Sequence, residues 1–91
     1  MLRVAAVQYA VGEDVEENLA TALRMIDQAV AEGAELVVLP EFGNHVSWYA
    51  DRDHARKHAQ SYDSPFVVAL AAKAAEHKIY LMFNCTLHRP D

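Results

Sequence analysis

Three short runs of consecutive apolar residues divide the chain, and each has the length of a buried β-strand. They lie at residues 2–9 (LRVAAVQY), 36–39 (LVVL) and 79–85 (IYLMFNC). Apolar runs of about four to eight residues without strict alternation are typical of strands that are covered on both faces in a parallel sheet. The pattern therefore predicts three such strands, and the segments between them are long enough to hold helices.

Between the first two predicted strands the apolar positions change to a helical spacing. Four apolar residues follow one another at intervals of four, three and four positions: Leu19, Leu23, Ile26 and Val30. This spacing places them along one stripe of a helix. Asp14 precedes the stripe as an N-cap, and Gly33 follows it where a left-handed residue commonly ends a helix. The segment is therefore predicted to form an amphipathic helix between Asp14 and Gly33.

A second helix is predicted to begin at Ser64-Pro65, since serine is a favoured N-cap and proline is favoured at the first helical position. Its apolar stripe consists of residues four positions apart: Phe66, Leu70 and Ala74. This helix leads directly into the third predicted strand.

The segment from 41 to 63 has a less regular pattern. Either Asp51 or Asp53 is expected to cap a short helix that extends through residues 56–60. The alternation of charges from Arg52 to His58 is typical of a solvated helix face. The last residues, 86–91 (TLHRPD), are expected to form a turn.

The order of elements is strand, helix, strand, helix, strand. This order corresponds to two consecutive βαβ units, and so the predicted fold class is α/β with a parallel sheet and right-handed crossovers. If the strands lie in sequential order, both crossover helices cover the same face of the sheet. The other face is then left without cover inside this chain.

Composition narrows the possible functions. The 91 residues suffice for one small domain, and an apolar content of 53% argues against disorder. A net charge of −5 and scattered basic residues argue against nucleic-acid binding. A single cysteine excludes an internal disulfide framework, and no apolar run reaches the roughly 18 residues of a membrane-spanning helix. We therefore expect a cytoplasmic, soluble protein that does not associate with membranes.

Polar side chains stand at the predicted carboxyl ends of the strands, where open parallel sheets bind their ligands. They are Gln8, Tyr9, Glu41, Asn84 and Cys85. Leu39 is the last residue of the apolar strand, and Glu41 follows it after only Pro40. The desolvation expected there would suit Glu41 to act as a general base near neutral pH. The alternative is that Glu41 only begins a loop or caps a helix, since carboxylates at strand ends are also structural.

Other candidate residues have structural explanations of comparable weight. Phe42, Trp48 and Tyr49 follow Glu41 and either line a substrate pocket or pack the loop onto the body of the protein. His54 and His58 are four positions apart, but a zinc site requires a third ligand that the sequence does not indicate, so the pair is interpreted as a surface feature. We expect no metal and no cofactor.

The segment GAELVVLPEF (33–42), preceded by VAAVQY (4–9) and followed by VVALAAKAAEHKIYLMF (67–83), resembles the nitrilase superfamily of carbon–nitrogen hydrolases. The resemblance covers essentially all 91 residues. It implies that residues 1–91 are the N-terminal segment of an incomplete hydrolase domain. It also implies the fold, a βαβαβ portion of the family's αββα sandwich, in which two sheets pack together between helical layers.

The resemblance further implies a Glu-Lys-Cys triad in which Glu41 is the general base, and a small nitrile, amide or carbamoyl compound as substrate. The family's lysine and cysteine motifs lie further along the chain than Asp91; neither Lys73 nor Lys78 matches the lysine motif. Cys85 ends a strand rather than starting a helix, so it is interpreted as a buried or half-buried thiol and not the nucleophile.

The resemblance therefore implies an inactive 91-residue chain, completed in the full-length parent by the remainder of the domain and by assembly into a homo-oligomer. The nitrilase, amidase, carbamoyl-amine hydrolase and acyltransferase branches all remain open. The alternative is a small α/β binding or interaction module without chemistry, in which Glu41 is structural.

Overall fold

The computed structural model describes residues 1–88 as three helices and a three-stranded parallel sheet. The strands, in the order β1-β2-β3 across the sheet, are β1 (Val4–Ala6), β2 (Leu36–Val38) and β3 (Tyr80–Met82). The helices are α1 (Val15–Ala31), α2 (Arg52–His58) and α3 (Pro65–His77). The predicted α/β class with parallel strands is confirmed, and the strands lie in sequential order.

The first helix begins and ends where its sequence predicts. The Asp14 side chain accepts hydrogen bonds from the backbone N–H groups of Glu16 and Glu17, at 3.0 and 3.2 Å. These bonds satisfy donors that have no partner within the helix. Gly33 has a φ of 97°, so a glycine is needed for the chain to leave the helix toward β2.

The later helices also begin close to their predicted caps. Asp51, rather than Asp53, caps α2 by accepting the N–H of His54 at 2.8 Å. Ser64 occupies the N-cap of α3 and Pro65 its first turn, but the Ser64 hydroxyl donates to Gln60 Oε1 at 2.9 Å instead of capping the helix.

The buried stripe of α1 is rotated from the one predicted. Ile26 is fully buried, but Leu19, Leu23 and Val30 are only half-buried. The other buried positions of the helix hold small or polar side chains: Asn18, Ala22 and Ala29. The buried stripe of α1 therefore runs through these positions, and the predicted leucines lie at its margins.

Helices α1 and α3 cover one face of the sheet. Ala5, Val37 and Leu81 are paired across the strands and pack into the core, where Val37 is completely buried. On the opposite face, Val4 and Tyr80 flank Leu36 and are 56% and 75% exposed. The prediction that the strands are covered on both faces is therefore wrong for residues 1–88, and the prediction that one face lacks cover is confirmed.

The end of the chain departs from the predicted turn. Gln60 is buried, and its backbone needs partners. It donates its N–H to Thr86 O and accepts the N–H of His88, both at 2.7 Å, which forms a parallel bridge with Leu87. Residues 86–88 are thus extended beside Gln60, and the remainder of the predicted turn, 89–91, lies outside the described residues.

None of the helices in residues 1–88 combines the length and the apolar character needed to cross a membrane.

Candidate functional site

Glu41 lies in the turn that follows the central strand of the sheet. Leu39 still pairs with β3, since its N–H donates to Met82 O at 3.0 Å, and Pro40 then ends the pairing. The side chain of Glu41 is exposed. The expected desolvation of this carboxylate is therefore not found in residues 1–88, because the cover that these residues provide lies on the helix side of the sheet.

The residue after Glu41 has an unusual backbone conformation. Phe42 has a φ of 52°, a left-handed conformation that costs a bulky residue roughly 1–3 kcal/mol. Its N–H donates to Asn84 Oδ1 at 3.0 Å, and the N–H of Gly43 donates to Asn84 O at 2.8 Å. A Cβ on Gly43 would lie 3.4 Å from Asn84 O, so a small residue is favoured here. Asn84 at the end of β3 thus fixes the turn that presents Glu41.

This contact confirms that the carboxyl ends of β2 and β3 bring their polar groups to one edge of the sheet. Gln8, at the end of β1, is exposed. The Tyr9 hydroxyl is buried without a hydrogen-bond partner among the described residues, and burial raises the pKa of Tyr9.

Asn44 joins the loop to three other segments, and sequence reasoning missed it. It is fully buried: its Nδ2 donates to His58 O at 2.9 Å, and its Oδ1 accepts the N–H of Thr86 at 3.1 Å. Its backbone carbonyl accepts Nδ2 of Asn18 in α1 at 2.8 Å. The partners of Asn44 are distant in sequence, so no local pattern indicates its role.

We predict that Asn44→Ala loosens this loop by about 1–3 kcal/mol, because it leaves the part-buried Thr86 N–H without its partner and removes one of the two donors to His58 O. The Thr86 amide proton should exchange at least about fivefold faster in the variant, as measured by hydrogen exchange with NMR. Gln28→Ala, on an exposed part of α1, serves as the control. Unchanged exchange at Thr86 in Asn44→Ala would contradict the prediction.

The three predicted pocket aromatics occupy two different places. Phe42 lies in the turn beside Asn84. Trp48, which is 60% exposed, and Tyr49 instead pack against His54, with ring centroids 6.0 and 5.5 Å away. The structure thus supports the packing interpretation for Tyr49, whose hydroxyl also hydrogen-bonds with Thr86 Oγ1 at 3.1 Å.

Three histidines meet beside these aromatics. His45 is fully buried and stacks on His58, with ring centroids 4.4 Å apart and planes 27° apart. His54 lies edge-on to both, at 5.5 Å from His45 and 5.1 Å from His58. The interpretation of His54 and His58 as a surface pair is therefore wrong: both are half-buried, and the loop supplies a third imidazole next to them.

The hydrogen bonds of this cluster define proton positions. His45 Nδ1 lies 2.7 Å from Val46 O, and since a carbonyl only accepts, Nδ1 holds the proton. His54 Nδ1 accepts the N–H of Ala50 at 2.9 Å. Burial lowers the pKa of His58, and the neighbouring His45 and His54 lower it further. The lowered pKa of His58 favours the neutral form of that imidazole.

With the fold and the Glu41 turn established, similarity to known proteins decides the family. The model of the carbon–nitrogen hydrolase family matches residues 3–90. The chain belongs to this family. It is also 32% identical over 82 residues to "Nitrilase homolog 2" of Dictyostelium discoideum, an alignment that covers 90% of this chain and 24% of that protein. The chain therefore spans about a quarter of the length of this curated relative.

The resemblance of this chain to the N-terminal part of the nitrilase superfamily is confirmed. Cys85 is half-buried, and burial raises the pKa of its thiol. A raised thiol pKa disfavours the nucleophilic thiolate, which supports the interpretation of Cys85 as a packed side chain rather than the family's nucleophile.

Proposed function

We propose that this chain is the Glu41-bearing N-terminal segment of a hydrolase that cleaves a nitrile, amide or carbamoyl substrate through a Glu-Lys-Cys triad. In this proposal Glu41 is the general base. One observation carries the assignment: Glu41 stands at the carboxyl end of the central strand, in a turn that Phe42 and Asn84 hold in a strained conformation. Strain of this kind is concentrated at functional sites.

The proposed reaction divides hydrolysis into two steps. The Glu41 carboxylate takes the proton of the cysteine thiol, and the thiolate attacks the carbon of an amide. The C–N bond breaks, the leaving amine takes the proton, and a thioester remains. Glu41 then takes a proton from water as the water oxygen attacks the thioester. The C–S bond breaks, the acid is released, and the departing thiolate takes the proton back from Glu41. The lysine stabilises the anionic tetrahedral intermediates.

In this proposal the lysine and the cysteine belong to the remainder of the hydrolase domain. That remainder would cover the exposed face of the sheet, where Val4, Tyr80 and Met82 are all more than half exposed. It would also desolvate the turn that holds Glu41, and the completed parent would form a homo-oligomer.

We predict that the 91-residue chain alone releases no ammonia from a panel of amides and nitriles. A general base without a nucleophile has nothing to activate, although positioned bases contribute about 10²–10⁴-fold in complete sites. Adding the remainder of the domain as a separate polypeptide should produce activity. Ammonia release by the chain alone that disappears in Cys85→Ala would show that Cys85 is the nucleophile and that the proposed triad is wrong.

A further inference from the structure

We propose that His45, His54 and His58 form a binding site for one divalent zinc ion, which joins the loop after Glu41 to helix α2. One nitrogen of each imidazole lies within 4.8 Å of the others. A tetrahedral zinc ion with Zn–N bonds of about 2.0–2.1 Å needs nitrogens roughly 3.3 Å apart. The cluster therefore has to contract by about 1.5 Å at most to hold the ion.

The most direct support is a buried nitrogen that the protein leaves unpaired. His45 is fully buried, and its Nε2 has no hydrogen-bond partner among residues 1–88. Nδ1 donates its hydrogen bond to Val46 O, and so Nε2 carries the unshared lone pair of the ring. A metal-binding histidine typically donates its second N–H to a carbonyl in this way, which fixes both the tautomer and the ring orientation.

The other two histidines can complete the site from one face of α2. His54 and His58 are one helical turn apart, so their side chains project in the same direction. The stacked ring of His45 reaches them from the loop.

The proton on His54 gives the proposal a specific consequence. Its Nδ1 accepts from Ala50 N–H at 2.9 Å, so the neutral ring has its proton on Nε2. A zinc bond from Nε2 requires this proton to move through water to Nδ1, and a bond from Nδ1 replaces the contact with Ala50. In both cases the Ala50 N–H loses its partner when the ion binds.

The ligand set favours zinc among the common divalent ions. Three neutral imidazoles without a carboxylate do not suit Mg²⁺ or Ca²⁺, which prefer oxygen ligands. Three histidines leave the fourth tetrahedral position to water. The site is independent of the role of Glu41, since none of its ligands belongs to the proposed triad.

The test is a calorimetric titration of the metal-free chain with Zn²⁺ alone. We expect one ion per chain. The Kd should rise more than about 100-fold in His54→Ala, because loss of a direct ligand costs more than loss of an outer-sphere partner, which costs about 10–100-fold. His45→Ala should have the same effect. Because His45 is buried, its replacement can also disturb folding, and the half-buried His54 provides a variant with less risk of this. Co²⁺ should produce the visible absorption of a four-coordinate site, and the Ala50 amide resonance should shift.

The matched control is His77→Ala. His77, with Asp27 and Glu76, forms the other group of possible ligand atoms in residues 1–88, and it is already paired with Asp27 at 2.7 Å. Its loss should leave the Kd unchanged. Three results would each overturn the proposal: no zinc binding, an unchanged Kd in a folded His54→Ala variant, or a loss of binding in His77→Ala. All three leave the proposed hydrolase function unaffected.

Discussion

Replacing Glu41 by glutamine is expected to reduce turnover by about 10²–10⁴-fold in a protein that joins this chain to the lysine and cysteine of the family. The amide preserves the shape of the side chain but cannot take the thiol proton. Glu41 is exposed and its turn is fixed through the backbone of Phe42 and Gly43, so the substitution leaves the contacts to Asn84 intact. Circular dichroism should therefore match that of the unmodified protein.

The control for this experiment is Glu32→Gln, which removes an equally exposed carboxylate at the end of α1. It should retain full turnover. A pre-steady-state measurement adds a second readout, because loss of the base should slow the formation of the thioester and not only its hydrolysis. Near-normal turnover in a folded Glu41→Gln protein would refute the assignment and favour a structural role for Glu41.

The elements of the fold were predictable because their signals are local. The cap at Asp14, the glycine at 33 and the Ser64-Pro65 pair each act on the neighbouring backbone, and the structure places helix ends at or beside all three. The apolar strands were also predicted, and their sequential order correctly implied one uncovered face, whereas the expectation from their apolar pattern that both faces are covered was wrong. Burial on two faces requires two covering layers, and residues 1–88 supply only one.

The arrangement around the site depends on contacts between distant segments. Asn44 bonds to residues 14 and 42 positions away, and His45 meets histidines of a separate helix. Sequence spacing predicted the position of Glu41 at the end of a strand. It did not predict the left-handed Phe42 or the third histidine, since both depend on how the loop from 42 to 51 folds back onto α2 and Asn84.

The uncovered sheet face is expected to make the isolated chain self-associate, bind a hydrophobic dye and melt without a sharp transition. Val4, Tyr80 and Met82 are 56%, 75% and 59% exposed on this face. A contiguous apolar patch larger than a few hundred Å² is uncommon on soluble monomers. Within residues 1–88 the outer strands β1 and β3 each pair on one side only, which adds two edges open to further pairing.

Two double variants test whether self-association depends on the uncovered sheet face or on exposed apolar side chains in general. Tyr80→Glu with Met82→Glu places charges on the face, whereas Tyr62→Glu with Val68→Glu places them elsewhere, at side chains that are 83% and 52% exposed. Each pair adds two negative charges to a chain whose net charge is −5, so both change the net charge equally. Only the first pair should suppress association and dye binding in sedimentation and fluorescence measurements.

Adding the remainder of the hydrolase domain as a separate chain should have the same effect as the face variant, because we propose that it buries the same surface. It should also produce a cooperative thermal transition, which charges on the face do not supply. A compact monomer with a sharp transition in the unmodified chain would contradict this prediction. A sheet that is stable with one face in water would be a self-sufficient domain, and that outcome would favour the binding module over the hydrolase segment.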